Sequence, residues 1–358
     1  MREISYVEAI REATQQAMRE DSSVILIGEG VPDPKAVFGS TVGLQEEFGK
    51  DRVFDMPVSE NGMTGVCIGA AIRGLRPILV HQRIDFSLYA MDQVVNNAAK
   101  WHSMFGGLAG NVPMVIRVIV GRGWGQGNQH SQNLAHLYAM IPGLKVVAPS
   151  NARDAKDLLL WAIKEPGPVV YVEHRWLHNT TSDVHKTTKI LANCYKAKVV
   201  KTGEDLTLVA WSYMVSEALK VSKIIEDMTG IRIEVVDMRS LRPLDIETIK
   251  ISVAKTCRLL VLEEAWRFNS LSSEIITQLI EDETVNFIDR PRRITLPDCY
   301  APSTPHLSKY YYPTTYSIAE HILTNLDTKK DIRESVLKYV KSRATIHDVP
   351  DFNFKGPF

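Results

Sequence analysis

The sequence has few cysteines, no long hydrophobic run and no excess of either charge. Its four cysteines, Cys67, Cys194, Cys257 and Cys299, lie far apart in 358 residues and form no CxxC pair. That spacing argues against a disulfide scaffold and against a zinc or thiol redox motif, and it favours a reducing cytoplasm. No apolar stretch approaches the roughly 18 residues of a membrane span, and the N-terminus lacks the pattern of a signal peptide. We therefore expect a cytoplasmic protein that does not enter a membrane.

The charge balance excludes a second group of functions. Lys and Arg together number 42 and so do Asp and Glu, which gives a formal net charge of +0. A chain without a basic excess has no electrostatic reason to bind nucleic acid or an anionic membrane, and we predict neither partner. The hydrophobic share of 45% and the charged share of 23% are those of a globular protein with a sizeable core.

Short apolar runs alternate with helical patterns along most of the chain. Alternation of this kind predicts an α/β fold with mostly parallel sheets. The predicted strands cover 24–27, 52–55, 77–80, 113–120, 144–147, 168–172, 206–210, 233–237 and 259–263. The predicted helices cover 5–19, 62–74, 86–105, 152–164, a segment ending near 228, 272–281 and 316–326. A polar stretch over 177–202 is typical of a linker.

Common nucleotide-binding and hydrolase motifs are incomplete or missing. Gly28-Glu29-Gly30 follows a predicted strand, but Asp33 stands where the dinucleotide fingerprint needs its last glycine. The glycine-rich loop from Gly121 to Gly127 fails the same test, and no P-loop, GxSxG or HExxH pattern occurs. The α/β pattern therefore has to be explained by another function.

Three segments, in order, carry a specific resemblance. They are FDMPVSENG over 54–62, DFSL over 85–88 with MDQ and NNAAK behind it, and QHSQ over 129–132 with IPGLKVVAP behind it. Their order and spacing resemble the β-subunit of thiamine-diphosphate-dependent 2-oxo acid dehydrogenases of the pyruvate and branched-chain type. The resemblance extends from about residue 7 to about residue 326.

The family implies a transketolase-like fold of two doubly wound domains with mostly parallel sheets. We assign 1–190 to the pyrimidine-binding domain, 200–327 to the transketolase C-terminal domain and 328–358 to a C-terminal extension, which has a helix-like stretch and an irregular end. The family also implies an α-subunit, in an α2β2 assembly with a β–β contact, that holds Mg²⁺ through a Gly-Asp-Gly motif. This sequence lacks that motif, so we expect no metal ligands here and an active site completed at a subunit interface. A lipoyl acyltransferase partner and a structural K⁺ ion near 162–165 are further implications.

The same resemblance assigns roles to individual residues. Glu60 matches the glutamate that activates thiamine diphosphate, Phe86 matches the aromatic beside the pyrimidine ring, and Val58 belongs to the same cofactor-binding set. Glu29 matches a second glutamate, proposed to link two active sites by proton exchange, and His130 matches the histidine that faces substrate and the lipoyl group. From the residues alone, Glu60 also fits an acid capping a helix N-terminus, and Phe86 fits an ordinary core residue.

The sequence departs from the family where the substrate should lie. His81, Gln82 and Arg83 stand where relatives have mainly apolar residues, and three polar groups in a row are costly to bury without partners. Arg83 can pair with a substrate carboxylate or phosphate, or with an acid at an interface. His81, Arg83 and His130 are therefore the predicted substrate contacts, and we expect small or polar 2-oxo acids over branched ones.

Three functions are consistent with these observations. The first is a pyruvate dehydrogenase-like β-subunit that, with its partner, decarboxylates a 2-oxo acid and passes the acyl group to a lipoyl domain. The second is a two-chain thiamine-diphosphate-dependent carboligase that uses an aldehyde or sugar acceptor. The third, a subunit without catalytic activity, fits less well because Glu60, Phe86 and His130 are all present.

Overall fold

The computed structural model of the chain describes residues 1–123, 125–186, 193–344 and 349. Within them the larger sheet has seven strands: β2 (Val24–Gly28), β3 (Val53–Phe54), β4 (Arg76–His81), β5 (Val115–Val120), β6 (Lys145–Val147), β7 (Val169–His174) and β12 (Ser240–Arg242). Their spatial order is β12-β6-β7-β5-β4-β2-β3, and only β12 runs antiparallel to its neighbour. The carboxyl ends of β2, β4, β5 and β7 therefore meet at one edge, the usual place for a ligand in such sheets.

A second sheet of five strands is built by the later part of the described chain. It contains β9 (Lys198–Lys201), β10 (Leu206–Ala210), β11 (Ile233–Asp237), β13 (Leu259–Trp266) and β14 (Arg292–Leu296). The spatial order is β14-β13-β10-β11-β9, and β9 alone is antiparallel. Two mostly parallel sheets were expected, and this part of the prediction is confirmed.

Helices cover both sheets. Those described are α1 (Tyr6–Glu20), α2 (Leu44–Phe48), α3 (Glu60–Ile72), α4 (Ile84–Ser87), α5 (Trp101–Met104), α6 (Ala135–Ala139), α7 (Ala152–Lys164), α8 (Tyr213–Thr229), α9 (Ile246–Thr256), α10 (Leu271–Glu281), α11 (Pro305–Tyr311), α12 (Thr315–Asn325) and α13 (Lys330–Ser342). Local sequence explains several of their ends. Ser5 and Glu8 form the capping box that starts α1, and Asn151 accepts a hydrogen bond from the Asp154 amide at the start of α7.

The predicted helix over 86–105 is wrong as a single element. The chain instead forms α4, a 3₁₀ turn at Leu88–Ala90, a π-helical segment at Asp92–Ala98 and α5. The turn at Gly143 presses against this segment, and a Cβ at Gly143 would lie 2.0 Å from the carbonyl oxygen of Ala99. The turns of a π-helix are wider than those of an α-helix, and they frequently occur next to functional sites.

The predicted linker over 177–202 is also wrong in part. Strand β8 (Thr181–Val184) pairs antiparallel with β1 (Arg2–Ser5), and β9 forms the edge of the second sheet. Both are edge strands of four residues, Thr-Ser-Asp-Val and Lys-Val-Val-Lys, and at least half of each is polar, so their composition resembles a loop. Residues 187–192, in the middle of the predicted linker, lie outside the described residues.

The C-terminal extension begins as a helix, as its pattern indicated. Helix α13 packs on α12 and α8 and buries Val336 and Val340. The irregular end predicted over 350–354 lies outside the described residues.

Candidate active site

The three motifs converge on the carboxyl edge of the larger sheet. Glu29 follows β2, Glu60 is the first residue of α3 behind β3, His81 ends β4, and the loop leading to His130 follows β5. Gly28 permits this convergence, because a Cβ there would lie 2.6 Å from the carbonyl oxygen of Val80 on the neighbouring strand. Segments far apart in sequence are thus brought to one edge by strand order.

Glu60 is a buried carboxylate with no protein donor among the described residues. It is 8% exposed, and its backbone carbonyl accepts a hydrogen bond of 2.7 Å from the Thr64 hydroxyl. The alternative role as a cap is not seen, since no side chain caps the start of α3. An acid buried in this way is poised to bond a ligand nitrogen.

Glu29 lies in the same acidic neighbourhood. Its Oε1 atom is buried and has no hydrogen-bond partner in the described structure. Burial, followed by the negative charges of Glu60 and Asp55, raises the pKa of Glu29 above its usual value. Asp55 itself accepts hydrogen bonds of 2.9 Å from the amides of Gly30 and Met56, which fix the start of this loop.

Phe86 and His130 form a direct contact. Their ring centroids are 5.1 Å apart at an interplanar angle of 86°, an edge-to-face arrangement. Next to them, Asp85 accepts a hydrogen bond of 2.7 Å from the side chain of Gln132 and one of 3.4 Å from the backbone amide of Gln132. The second and third motifs are therefore clamped together, which the order of residues in the sequence did not show.

The polar residues His81, Gln82 and Arg83, at the end of β4 and directly after it, are largely hydrogen-bonded within the chain. Gln82 donates to the carbonyl oxygen of Glu29 at 2.8 Å, and Arg83 donates to the carbonyl oxygen of Gly121 at 3.1 Å and to Oε1 of Gln126 at 2.5 Å. The sequence predicted a polar substrate or an interface acid as the partner of these groups, but for Gln82 and Arg83 the chain itself supplies partners. His81 differs, because its Nε2 atom is buried without a partner in the described residues. Burial lowers the pKa of His81 to about 4, so the ring is neutral near pH 7.

Arg122 links this edge to the second sheet. Its guanidinium lies between the rings of Trp176 and Tyr312, at 4.3 and 3.7 Å from their centroids, and forms a 3.2 Å ion pair with Glu264. The indole of Trp176 donates back to the Arg122 carbonyl at 2.8 Å. The start of the His130 loop is thereby held from both sides, and no motif in the sequence indicated this role for Arg122.

Glu263, which lies in β13 next to Glu264, has a structural role. Its carboxylate accepts hydrogen bonds from the amides of Leu271 and Ser272 at 3.2 and 3.0 Å. It therefore satisfies the free amides at the start of α10.

The chain alone offers part of a cofactor site. In the described ranges no cluster of three or more His, Cys, Asp or Glu residues could hold a metal ion. Val58 is 82% exposed, so any contact it makes lies outward from the chain. The buried Glu60 carboxylate and the Phe86–His130 pair fit the pyrimidine half of thiamine diphosphate, an aromatic ring with hydrogen-bonding nitrogens.

Residues 162–165, near which a structural K⁺ ion was expected, already contact a cationic side chain. Nη1 of Arg76 donates to the carbonyl oxygens of Ile163 and Glu165, at 2.8 and 3.2 Å. These two carbonyls therefore do not fit a resident K⁺ ion, and no step is derived from one. Among the described helices, none is long and apolar enough to cross a bilayer.

Comparison with known proteins places the fold in a class. Residues 2–180 match the family "Transketolase, pyrimidine binding domain", and residues 195–318 match "Transketolase, C-terminal domain". The solved structure titled "Split gene transketolase, inactive beta4 tetramer" has a TM-score of 0.73 at 21% identity, over 91% of this chain and all of that one. The fold is therefore transketolase-like, as the sequence predicted.

Sequence relatives narrow that class to a family. The chain is 39% identical to "Pyruvate dehydrogenase E1 component subunit beta" of Rickettsia bellii over 88% of its length and 96% of the relative's. It is 37% identical to the mitochondrial subunit of that name in Saccharomyces cerevisiae, over 87% of both chains. The chain belongs to the family of pyruvate dehydrogenase E1 component β-subunits. The prediction of a thiamine-diphosphate-dependent 2-oxo acid dehydrogenase β-subunit is confirmed.

Proposed function

We propose that this chain, joined to an α-subunit, decarboxylates a small 2-oxo acid and transfers the acyl group to a lipoyl group. The observation that carries the proposal is the buried Glu60 carboxylate, free of protein donors in the described residues and placed at the edge where Phe86 and His130 meet. Bound thiamine diphosphate supplies the carbanion chemistry of the decarboxylation. The roles below are those of the chain's own residues.

Glu60 is proposed to hold a proton against a ring nitrogen of the pyrimidine. Because Glu60 is only 8% exposed, little water competes for the hydrogen bond that its carboxyl group forms. Phe86 supports the ring from one side, and the exposed Val58 contacts the cofactor from the side where the partner subunit sits. The raised pKa of Glu29 suits a group that shares a proton with its surroundings, which supports its role in proton exchange between sites.

His130 is proposed to act on the substrate and not on the pyrimidine. It lies on a glycine-rich loop at the end of β5, and the edge of the Phe86 ring limits its orientation. Imidazole is the side chain that can both donate and accept a proton near neutral pH, as donation to a 2-oxo group or acyl transfer requires. His81, neutral and with a buried unpartnered nitrogen, is proposed as a second polar contact at this end of the site.

The partner surface is proposed to lie along α3. Gly62, Val66 and Gly69 are exposed at helical spacing, and a Cβ at Gly69 would meet nothing within 4 Å. Gly69 therefore serves no contact inside the chain, although glycine costs helix stability. The two glycines of this α3 stripe let a second helix approach closely, so we assign the stripe to the α-subunit of an α2β2 assembly.

The α-subunit is proposed to hold the Mg²⁺ and the diphosphate, since this sequence has no Gly-Asp-Gly motif. We also propose a β–β contact, a lipoyl acyltransferase partner, a cytoplasmic location and the domain ranges 1–190, 200–327 and 328–358. They rest on the resemblance and on the pattern of the sequence.

The decisive experiment is co-purification with the α-subunit, followed by a screen of 2-oxo acids with thiamine diphosphate, Mg²⁺ and an artificial electron acceptor. We expect turnover of pyruvate or a related small acid only when both chains are present. A complex that condenses the acid with an aldehyde, and reduces no acceptor, would identify the carboligase instead. Isothermal calorimetry of the isolated chain provides the control, because micromolar binding of thiamine diphosphate without a partner would contradict a shared site.

A further inference from the structure

The loop between β5 and His130 carries an amide whose orientation is set by a buried arginine. Gln126 is half-buried, and its Oε1 atom lies 2.5 Å from Nη2 of Arg83. A guanidinium has donors only, so the atom of Gln126 that meets it must be the carbonyl oxygen. The amide nitrogen, with its two N–H donors, is consequently turned away from Arg83.

Arg83 is rigid enough to impose this orientation. It is 5% exposed, and its Nη1 donates to the carbonyl oxygen of Gly121, so two points of the fork are held. Arg83 therefore has the contacts of a positioning residue, in place of the substrate contact for which the sequence suggested it.

The position of Gln126 relative to the site follows from a series of contacts. Along one segment, Arg83, Asp85 and Phe86 meet Gln126, Gln132 and His130 respectively. Gln126 and His130 are thus four residues apart on a loop that crosses the Arg83–Phe86 segment.

Two glycines shape the turn between Gln126 and its neighbours. Gly125 and Gly127 have φ angles of 70° and 65°, and a Cβ at Gly125 would lie 3.2 Å from the Ser303 carbonyl oxygen. The loop is therefore packed closely against the part of the chain that carries the second sheet. The Gln126 side chain consequently has little freedom to take another orientation.

Within the described ranges, no residue accepts a hydrogen bond from Nε2 of Gln126. A half-buried amide donor that Arg83 holds in one orientation is available to a ligand at this edge, and 2-oxo acids offer oxygen acceptors. We propose that Gln126 is a specificity residue that donates to an oxygen of the 2-oxo acid, with Arg83 acting only by orienting it. The acceptor is either the carboxylate common to all 2-oxo acids or a hydroxyl on the neighbouring carbon. The inference rests on the proposed function.

The test uses the assembled two-subunit enzyme with thiamine diphosphate, Mg²⁺ and an artificial acceptor. Three substrates are compared: pyruvate, 3-hydroxypyruvate and 2-oxobutanoate, the last two differing by a hydroxyl in place of a methyl group. Gln126→Met removes the donors at similar size, and Gln126→Glu keeps an acceptor for Arg83 but loses both donors. Asn128→Ala, an exposed change on the same loop, is the matched control.

We expect Gln126→Met to raise KM by about tenfold or more, with a smaller change in kcat, because the proposed hydrogen bond to the substrate is lost. A rise for all three acids identifies the carboxylate as acceptor. A selective loss on 3-hydroxypyruvate identifies the hydroxyl. Gln126→Glu should be at least as impaired, since a carboxylate repels the substrate, and Asn128→Ala should match the wild-type enzyme.

A double-mutant cycle separates positioning from direct binding. If Arg83 acts through Gln126, the Arg83→Met and Gln126→Met double variant is no worse than the more impaired single variant. Additive losses would overturn the positioning role, and a KM within twofold of wild type for Gln126→Met on all three acids would overturn the proposal. An inactive wild-type complex would refute the proposed function itself, and this inference with it. Thiamine diphosphate affinity and melting temperature should be unchanged in the Gln126 variants.

Discussion

Replacing Gly69 on α3 should stabilise the isolated chain and weaken its association with the α-subunit. The glycine is exposed within a regular helix, its φ is not positive, and a Cβ would meet nothing within 4 Å. Alanine therefore adds no clash in the isolated chain and removes the entropic cost of a helical glycine, a gain of about 0.5–1 kcal/mol. In a unit of this size that gain corresponds to a rise in melting temperature of roughly 1–4 °C.

The assembled enzyme should respond in the other direction. If a partner helix rests on Gly69, a side chain there must displace it, and Gly69→Leu should weaken α–β association by at least tenfold. Urea unfolding of the isolated chain measures the first effect, and sedimentation of the mixed subunits measures the second. Ser335→Ala, at an exposed position within α13, is the control that should stabilise the chain and leave assembly unchanged.

Two results would refute the reasoning. A lower melting temperature for Gly69→Ala in the isolated chain would mean that the glycine serves a contact within it. Unchanged assembly for Gly69→Leu would mean that the α3 stripe lies outside the α–β interface.

Three further predictions concern single acids and a histidine. Glu60→Gln should lower kcat of the complex by on the order of 10²-fold through loss of proton transfer, measured as acceptor reduction, and near-normal turnover would contradict its role. His130→Ala should still exchange the C2 proton of thiamine diphosphate, followed by NMR, while overall turnover falls; a collapse of exchange would place His130 in cofactor activation. Burial, and next the charge of Asp154, raises the pKa of Asp237 from 3.8 to about 7, so the folded state holds its proton more tightly than the unfolded chain. Folding stability should therefore fall as pH rises from about 4 to about 7, and Asp237→Asn should flatten that slope in urea titrations at several pH values; an unchanged slope would show that another group is responsible.

Local sequence determined most regular elements and supplied the candidate site residues. The helix over 152–164 and the strands over 206–210 and 233–237 have the predicted bounds, because each combines a strong periodic or apolar pattern with a clear end signal. Helix α9 was missed although Asp245 caps it and Ile249 and Val253 are buried four residues apart, so the signal was present. The short strands β1 and β14 have too few residues for any periodic signal.

Tertiary structure decided what no local pattern contains. The break in the predicted helix over 86–105 accompanies the close approach of Gly143, more than forty residues away. The Phe86–His130 contact and the hydrogen bond from Arg83 to Gln126 likewise join residues more than forty positions apart. Motifs in the sequence predict which side chains carry the chemistry, because the reaction demands particular residue types. Whether Arg83 binds a substrate or orients a neighbour depends on which acceptor lies within 3 Å of it, and strand order and loop packing alone determine that.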